Sequence, residues 1–76
     1  MAEYELGQKL KEMYENAPKG EAVAFIHLFG IQYADEIRNN RYRSTNIVSA
    51  SGLSKSYFAE VDKGIKLSKY VEIKKK

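Results

Sequence analysis

The chain has 76 residues, a net charge of +3 at neutral pH, no cysteine and one histidine, His27. A chain this short forms at most one small domain, which excludes a large enzyme. The cysteine and histidine counts exclude disulfides and a structural zinc site. Because hydrophobic residues make up 43% of the sequence, more than a disordered chain carries, we expect a single folded domain over residues 1–76.

Several classes of function are disfavoured by what the sequence lacks. No apolar run approaches the roughly 18 residues of a membrane span, and no signal peptide opens the chain, so we expect a cytoplasmic protein without membrane contact. There is no glycine-rich phosphate loop, no metal-spaced cluster and no nucleophile–histidine–carboxylate set. We therefore expect no enzyme activity, no cofactor or metal, and no small-molecule substrate.

The charge is distributed unevenly along the chain. Residues 1–37 carry three lysines and seven acidic side chains, for a net charge of −4. Residues 38–76 carry ten basic and three acidic side chains, for a net charge of +7. This asymmetry indicates a basic half able to meet a polyanion, although surface lysines that only maintain solubility are the alternative.

The first predicted element is an amphipathic helix over residues 2–16. Its apolar side chains recur at helical spacing and form one stripe, which we assign to the core: Leu6, Leu10, Met13, Tyr14 and Ala17. Pro18 and Gly20 predict the end of this helix, since the residue before a proline avoids the helical conformation.

A second, longer helix is predicted over residues 21–38. Ile26, Phe29 and Tyr33 follow the helical period, while Phe25 and Leu28 add apolar side chains on other faces. Such a helix is either central or partly covered by a partner. A strand over residues 23–31 is the competing interpretation, but the length favours a helix. For His27 we expect a core or boundary position rather than a ligand role.

Residues 39–43 form a polar connector that contains Arg41, Tyr42 and Arg43. Arginines beside a tyrosine suit phosphate contacts and stacking. A solvated loop with nothing bound is the alternative.

Residues 44–64 predict two short helices across a tight turn. Ser44 or Thr45 caps the first helix, which ends near residue 50, and Gly52 supplies the turn. Ser54 is the predicted cap of the second helix, residues 55–63, with Phe58 facing the core. Gly64 is the predicted C-cap. This arrangement is that of a helix-turn-helix.

The stretch from Val48 to Gly64 resembles the helix-turn-helix of phage-repressor (Cro-like) regulators. The similarity is carried by Gly52, by Leu53-Ser54, by Tyr57-Phe58 and by Asp62-Lys63-Gly64. It implies that the second helix enters the DNA major groove and reads bases with its N-terminal side chains.

The resemblance and the basic connector together predict the DNA-binding residues. The resemblance places one group of side chains at the base-reading end or further along the same face: Ser54, Lys55, Ser56, Tyr57, Glu60 and Lys63. A second group would approach the phosphate backbone: Arg41, Arg43 and Thr45. The expected partner is double-stranded DNA, bound by a transcriptional regulator for which a homodimer is one expected form. An adaptor that uses the same scaffold to bind protein, without DNA, is the alternative.

The remaining residues, 65–76, form a basic tail. Ile65, Leu67, Val71 and Ile73 alternate in part with polar residues, which predicts an extended segment, although a final helical turn is the other possibility. The closing lysines, residues 74–76, would contact phosphates or remain solvated. The whole sequence therefore predicts an all-α fold, a small bundle of about four helices: two supporting helices in residues 1–40, a helix-turn-helix in residues 44–64 and a short extended C-terminal tail.

Overall fold

The structure, a computed structural model, describes residues 1–74, and it is helical almost throughout. Five α-helices follow one another: α1 (Glu3–Glu15), α2 (Ala22–Gln32), α3 (Ala34–Asn39), α4 (Ser44–Ser51) and α5 (Phe58–Leu67). A 3₁₀ turn, Lys55–Tyr57, leads directly into α5. No strand occurs between residues 1 and 74, so the prediction of an all-α bundle is confirmed.

Helix α1 has the predicted position and apolar stripe. Leu6 and Leu10 are fully buried, and Met13 and Tyr14 pack against the same core. Gly7 allows α1 to approach α4 closely, because a Cβ atom at this position would lie 2.6 Å from the Cβ atom of Ala50. The chain leaves α1 through Gly20, which has a positive φ of 83°.

The prediction of one helix over residues 21–38 is wrong, because the helix breaks at Tyr33. This residue has φ −107° and ψ 14°, and it separates α2 from α3. Beyond the break, Ala34 and Ile37 of α3 are buried in the core.

A single apolar core joins all five helices. Its fully or almost fully buried side chains are Leu6, Leu10, Ile26, Phe29, Ile37, Ile47, Val48 and Val61. Because the core of so short a chain is small, every helix contributes to it. Within residues 1–74, no helix has the length and apolar character needed to cross a membrane.

Helices α2 and α5 cross at two glycines. A Cβ atom on Gly30 would lie 2.6 Å from the carbonyl oxygen of Val61 and 2.8 Å from the Cα atom of Gly64. A Cβ atom on Gly64 would collide with the carbonyl oxygen of His27. The prediction that Gly64 ends the second helix of the motif is therefore wrong. Gly64 lies inside α5, which continues to Leu67, because the close backbone approach requires glycine there.

The predicted tail is partly helical. Ile65–Leu67 belong to α5, as the alternative of a final helical turn anticipated, and residues 68–70 form a turn after the helix. Residues 71–74 have no regular secondary structure. Arg38 holds the end of α5 in place, since its Nη2 donates hydrogen bonds to the Ile65 carbonyl (2.7 Å) and to Ser68 Oγ (3.0 Å). The predicted phosphate contacts of Lys75 and Lys76 lie outside the described residues.

Candidate nucleic-acid interface

Helices α4 and α5 are joined by the turn of a helix-turn-helix. Gly52 ends α4 in the left-handed conformation, with φ 78°. The buried Ser51 stabilises this turn, since its Oγ donates to the carbonyl of Val48 (2.5 Å) and accepts from the N–H of Leu53 (3.1 Å). Leu53 then packs against the core. The glycine turn is therefore as predicted.

A shallow groove of about 470 Å³ lies between the exposed side of α4 and the beginning of α5. We call it the α4–α5 groove, and six residues line it: Thr45, Asn46, Ser49, Lys55, Ser56 and Phe58. These side chains offer hydroxyl and amide groups and one ammonium group, and none of them is a carboxylate. The structure thus brings together three of the predicted DNA-binding residues, namely Thr45, Lys55 and Ser56.

The aromatic pair Tyr57-Phe58 is oriented opposite to the prediction. Tyr57 packs against the core, and its hydroxyl is hydrogen-bonded to that of Tyr14, with the two oxygens 3.2 Å apart. Phe58, which we predicted to face the core, is 42% exposed and lines the groove. The cause is the 3₁₀ turn, which has three residues per turn rather than 3.6. The side chains at the beginning of α5 therefore point in directions different from those in a continuous α-helix.

Ser54 is exposed but does not act as the predicted helix cap. Its Oγ lies 2.9 Å from Ser56 Oγ and makes no capping hydrogen bond. Helical structure begins at Lys55, as predicted, but its first turn is a 3₁₀ turn and the α-helix α5 begins at Phe58. Ser54 therefore borders the groove through its contact with Ser56.

Glu60 faces α2 rather than the groove. His27 Nε2 donates to Glu60 Oε1 at 2.7 Å, and Lys63 Nζ lies 3.4 Å from Glu60 Oε2. The hydrogen bond from His27, assisted by the ammonium of Lys63, holds the pKa of the Glu60 carboxyl below its usual range. His27 has the boundary position predicted for it, half-buried between α2 and α5. Glu60 is thus engaged with His27 of α2 and with Lys63.

The connector before α4 exposes two of the predicted arginines. Arg41 has a positive φ of 56°, and both Arg41 and Arg43 are exposed. Tyr42, in contrast, packs against the core, and its hydroxyl donates to the carbonyl of Met1 (2.7 Å). Its ring is therefore not placed for the predicted stacking between the arginines.

A carboxylate from α1 caps helix α4. Glu3 Oε2 accepts the backbone N–H of Arg43 (3.1 Å) and Nδ2 of Asn46 (3.3 Å). Ser44 and Thr45 make no capping hydrogen bond, so their predicted role is wrong. A negative side chain at this end also suits the helix dipole. The sequence gives no signal for this contact, because it joins residues 40 positions apart.

Three groove residues were missed by the sequence analysis. Asn46 and Ser49 lie one turn apart on the side of α4 opposite Ile47 and Val48, so helical periodicity alone would have found them. Phe58 had no such signal, since its exposure depends on the 3₁₀ turn. Within residues 1–74, no group of three histidine or acidic side chains is placed to hold a metal ion.

Comparison with known proteins assigns the chain to a family. No curated protein and no solved structure matches the chain. A family model described as an HTH-like domain matches residues 2–74. The match extends far beyond the helix-turn-helix itself and includes the supporting helices α1–α3. The chain therefore belongs to the HTH-like domain family.

Proposed function

We propose that the protein is a small DNA-binding transcriptional regulator that places the α4–α5 groove against the major groove of DNA. The observation that carries the proposal is the chemistry of that groove. Hydroxyl, amide and ammonium groups are the partners that base edges and phosphates accept, and no lining side chain is a carboxylate. The neighbouring Glu3 carboxylate is already held by the N–H of Arg43 and by Asn46. The Cro-like resemblance of residues 48–64 supports the same orientation of α5.

The proposed contacts divide into two groups. Lys55 and Ser56, at the beginning of α5, are the base-reading candidates, together with Asn46 and Ser49 of α4. Arg41 and Arg43 are the phosphate-binding candidates, because their exposed guanidinium groups precede α4. Thr45 lines the groove beside Asn46, and Ser54 contacts Ser56.

Two predicted residues receive a different role in this proposal. Tyr57 orients the start of α5 from within, through its hydrogen bond to Tyr14. Glu60 is held by His27, so its negative charge is directed away from the bases. Neither side chain is required to contact DNA, and Lys63 contributes at most a distant positive charge.

A duplex titration tests the proposal. Amide shifts are followed by NMR while a mixed-sequence duplex is added at about 50 and 200 mM salt, a range over which phosphate-driven affinity falls steeply. We expect salt-sensitive shifts at residues 41–49 and 54–58. Lys55→Ala should weaken binding, whereas Lys11→Ala, an exposed lysine of α1, is the matched control and should not. Absence of shifts at both salt concentrations would contradict the proposal.

We further propose that two copies bind together through the outer side of α2. The eleven residues of this helix include no aspartate, glutamate, lysine or arginine. Val23 is 42% exposed, while Phe25 and Leu28 are only half-buried. Because recognition by a helix-turn-helix commonly uses two half-sites, a dimer through this uncharged surface fits the DNA-binding role, which also implies a cytoplasmic location. Sedimentation should show a dimer that Val23→Glu converts to a monomer.

A second candidate function is that of a protein-binding module. It is favoured by a shallow cavity of about 300 Å³ beside α5, lined by His27, Lys63, Lys66, Leu67 and Tyr70. Tyr70 is 82% exposed, and the apolar floor flanked by two lysines suits an acidic, apolar segment of another protein. This function predicts no response to the duplex at either salt concentration.

A further inference from the structure

We propose that Phe58 reads the 5-methyl group of a thymine in the DNA target. The inference rests on the DNA-binding function proposed above and names one feature of the sequence that the site would select. It makes Phe58 a specificity-determining residue, a role opposite to the core position that the sequence indicates.

Single exposed apolar side chains are common on protein surfaces, so the exposure of Phe58 alone indicates no function. The location of Phe58 is what indicates one. Phe58 is the first residue of α5, the end of a reading helix that meets base edges. It is the one apolar member of the groove lining, beside Lys55 and Ser56. An apolar side chain in the major groove has one apolar partner on the base edges, the thymine methyl group.

The surrounding contacts hold Phe58 in this orientation. Tyr57 occupies the inward position next to it, with its ring 5.5 Å from that of Tyr14. Rotating α5 so as to turn Phe58 inward would break the Tyr14–Tyr57 hydrogen bond. The Phe58 side chain is therefore exposed at the groove before DNA binds.

Charge complementarity favours DNA over an apolar protein segment as the occupant of the groove. Lys55 lies one turn before Phe58, and the lining side chains carry no negative charge of their own. The Glu3 carboxylate, which contacts Asn46 at 3.3 Å, is held by the N–H of Arg43. An ammonium group beside an aromatic ring matches the edge of a duplex on which a guanine acceptor neighbours a thymine methyl group. An apolar protein segment would leave the ammonium and the hydroxyl groups of the groove without partners.

The test compares thymine with uracil, which differs only by that methyl group. The whole chain first selects its preferred duplex from a random library, and each thymine of that duplex is then replaced singly by uracil. Affinity is measured by fluorescence anisotropy at about 50 mM salt. We expect at least one replacement to weaken binding by the wild type about fourfold, the worth of one buried methyl group.

The variants assign this effect to Phe58. Phe58→Ala should bind the thymine and uracil duplexes equally, and Phe58→Leu should retain most of the difference because it keeps an apolar contact. Leu67→Ala is the matched control. Leu67 is 41% exposed and Phe58 is 42% exposed, but Leu67 lies at the other end of α5. It should keep the wild-type ratio. Circular dichroism checks that each variant is folded.

The outcomes separate this inference from the proposed function. Salt-dependent binding of the duplex with no methyl-sensitive thymine would overturn the role of Phe58 and leave DNA binding in place. The same conclusion would follow if Phe58→Ala kept the thymine preference. Selection of no duplex at all would overturn both proposals together.

Discussion

His27 Nε2 and Glu60 Oε1 lie 2.7 Å apart and join α2 to α5 across the surface of the bundle. The pair lies one turn from the Gly30–Gly64 crossing, so a polar contact and a backbone contact fix the same helix pair. The orientation of α5, and with it the groove that Lys55 and Phe58 line, depends on this helix pair.

The first prediction concerns the effect of pH on stability. A carboxyl whose pKa is lower in the folded than in the unfolded chain binds fewer protons when folded, so its stabilisation is present above the unfolded pKa and is lost as the pH falls through the folded pKa. The pKa of Glu60 is lowered in the fold from an ordinary value of 4.5. We therefore expect the wild type to be more stable than Glu60→Gln near pH 7, with the difference decreasing as the pH falls below 4.5.

Urea unfolding of both proteins at pH 7, 5 and 3 measures this difference. Glu15→Gln serves as the control, since Glu15 is an exposed carboxylate at the end of α1. A stability difference between wild type and Glu60→Gln that stays constant over the whole range would contradict the prediction.

The second prediction concerns the glycine crossing. In most helix interiors, alanine is about 1 kcal/mol more favourable than glycine. At Gly64 the added Cβ atom would meet the backbone of α2, including the Cα atom of Gly30 at 2.9 Å. We expect Gly64→Ala to lower the free energy of unfolding by about 2 kcal/mol or more, the usual cost of overpacking.

Gly20→Ala provides a comparison for this measurement by denaturant unfolding. Gly20 has φ 83° and no atom within 4 Å of the position of a Cβ, so only its conformation is penalised. That penalty should be about 1 kcal/mol. A Gly64→Ala variant more stable than the wild type would show that α2 and α5 do not cross as described.

The third prediction distinguishes the inward from the outward position of Tyr57. Tyr57→Phe removes a hydroxyl that is hydrogen-bonded to Tyr14, and we expect it to lower the free energy of unfolding by about 1 kcal/mol. Tyr14→Phe should cost a similar amount, and the double variant should cost less than the sum of the two. Chemical denaturation of the four proteins measures these values.

DNA affinity provides the complementary measurement for Tyr57. Because its ring lies against the core, Tyr57→Phe should leave duplex binding unchanged. Loss of affinity without loss of stability would instead favour the base-reading role that the family resemblance implies for this residue.

The fourth prediction assigns a phosphate contact to Arg43. If its guanidinium neutralises one phosphate, Arg43→Ala should weaken binding to all duplex sequences by a similar factor and reduce the slope of log K against log salt by about 0.9. Lys55→Ala should instead change which duplexes are preferred. Fluorescence anisotropy over a salt series measures both effects. Unchanged affinity in both variants would contradict the DNA-binding proposal as a whole.

The parts of the fold that sequence predicts well are those governed by local rules. The stripe of Leu6 and Leu10, the proline stop after α1 and the left-handed Gly52 each follow from nearby residues, and the structure has all of them. The break at Tyr33 has no such local signal, since neither a proline nor a glycine adjoins this residue. The helical period of the apolar residues does not show where packing against the rest of the molecule ends a helix.

The candidate site was predicted less completely for a similar reason. Lys55 and Ser56 could be placed from the turn that precedes them. The inward position of Tyr57 and the outward position of Phe58 depend on a 3₁₀ turn, and Tyr57 contacts Tyr14, which is 43 residues away. The capping of α4 by Glu3 likewise joins distant parts of the chain. Both contacts exist only once α1 has packed against the helix-turn-helix.

The glycine crossing has a consequence for how the sequence can change over time. Where two backbones touch directly, no side chain at the contact can be enlarged or reshaped to turn one helix against the other. Apolar residues around it, such as Ile26 and Val61, can be exchanged for others of similar volume while α5 keeps its direction. Interior substitutions of similar volume can thus leave the presented surface unchanged, as long as positions 30 and 64 remain glycine.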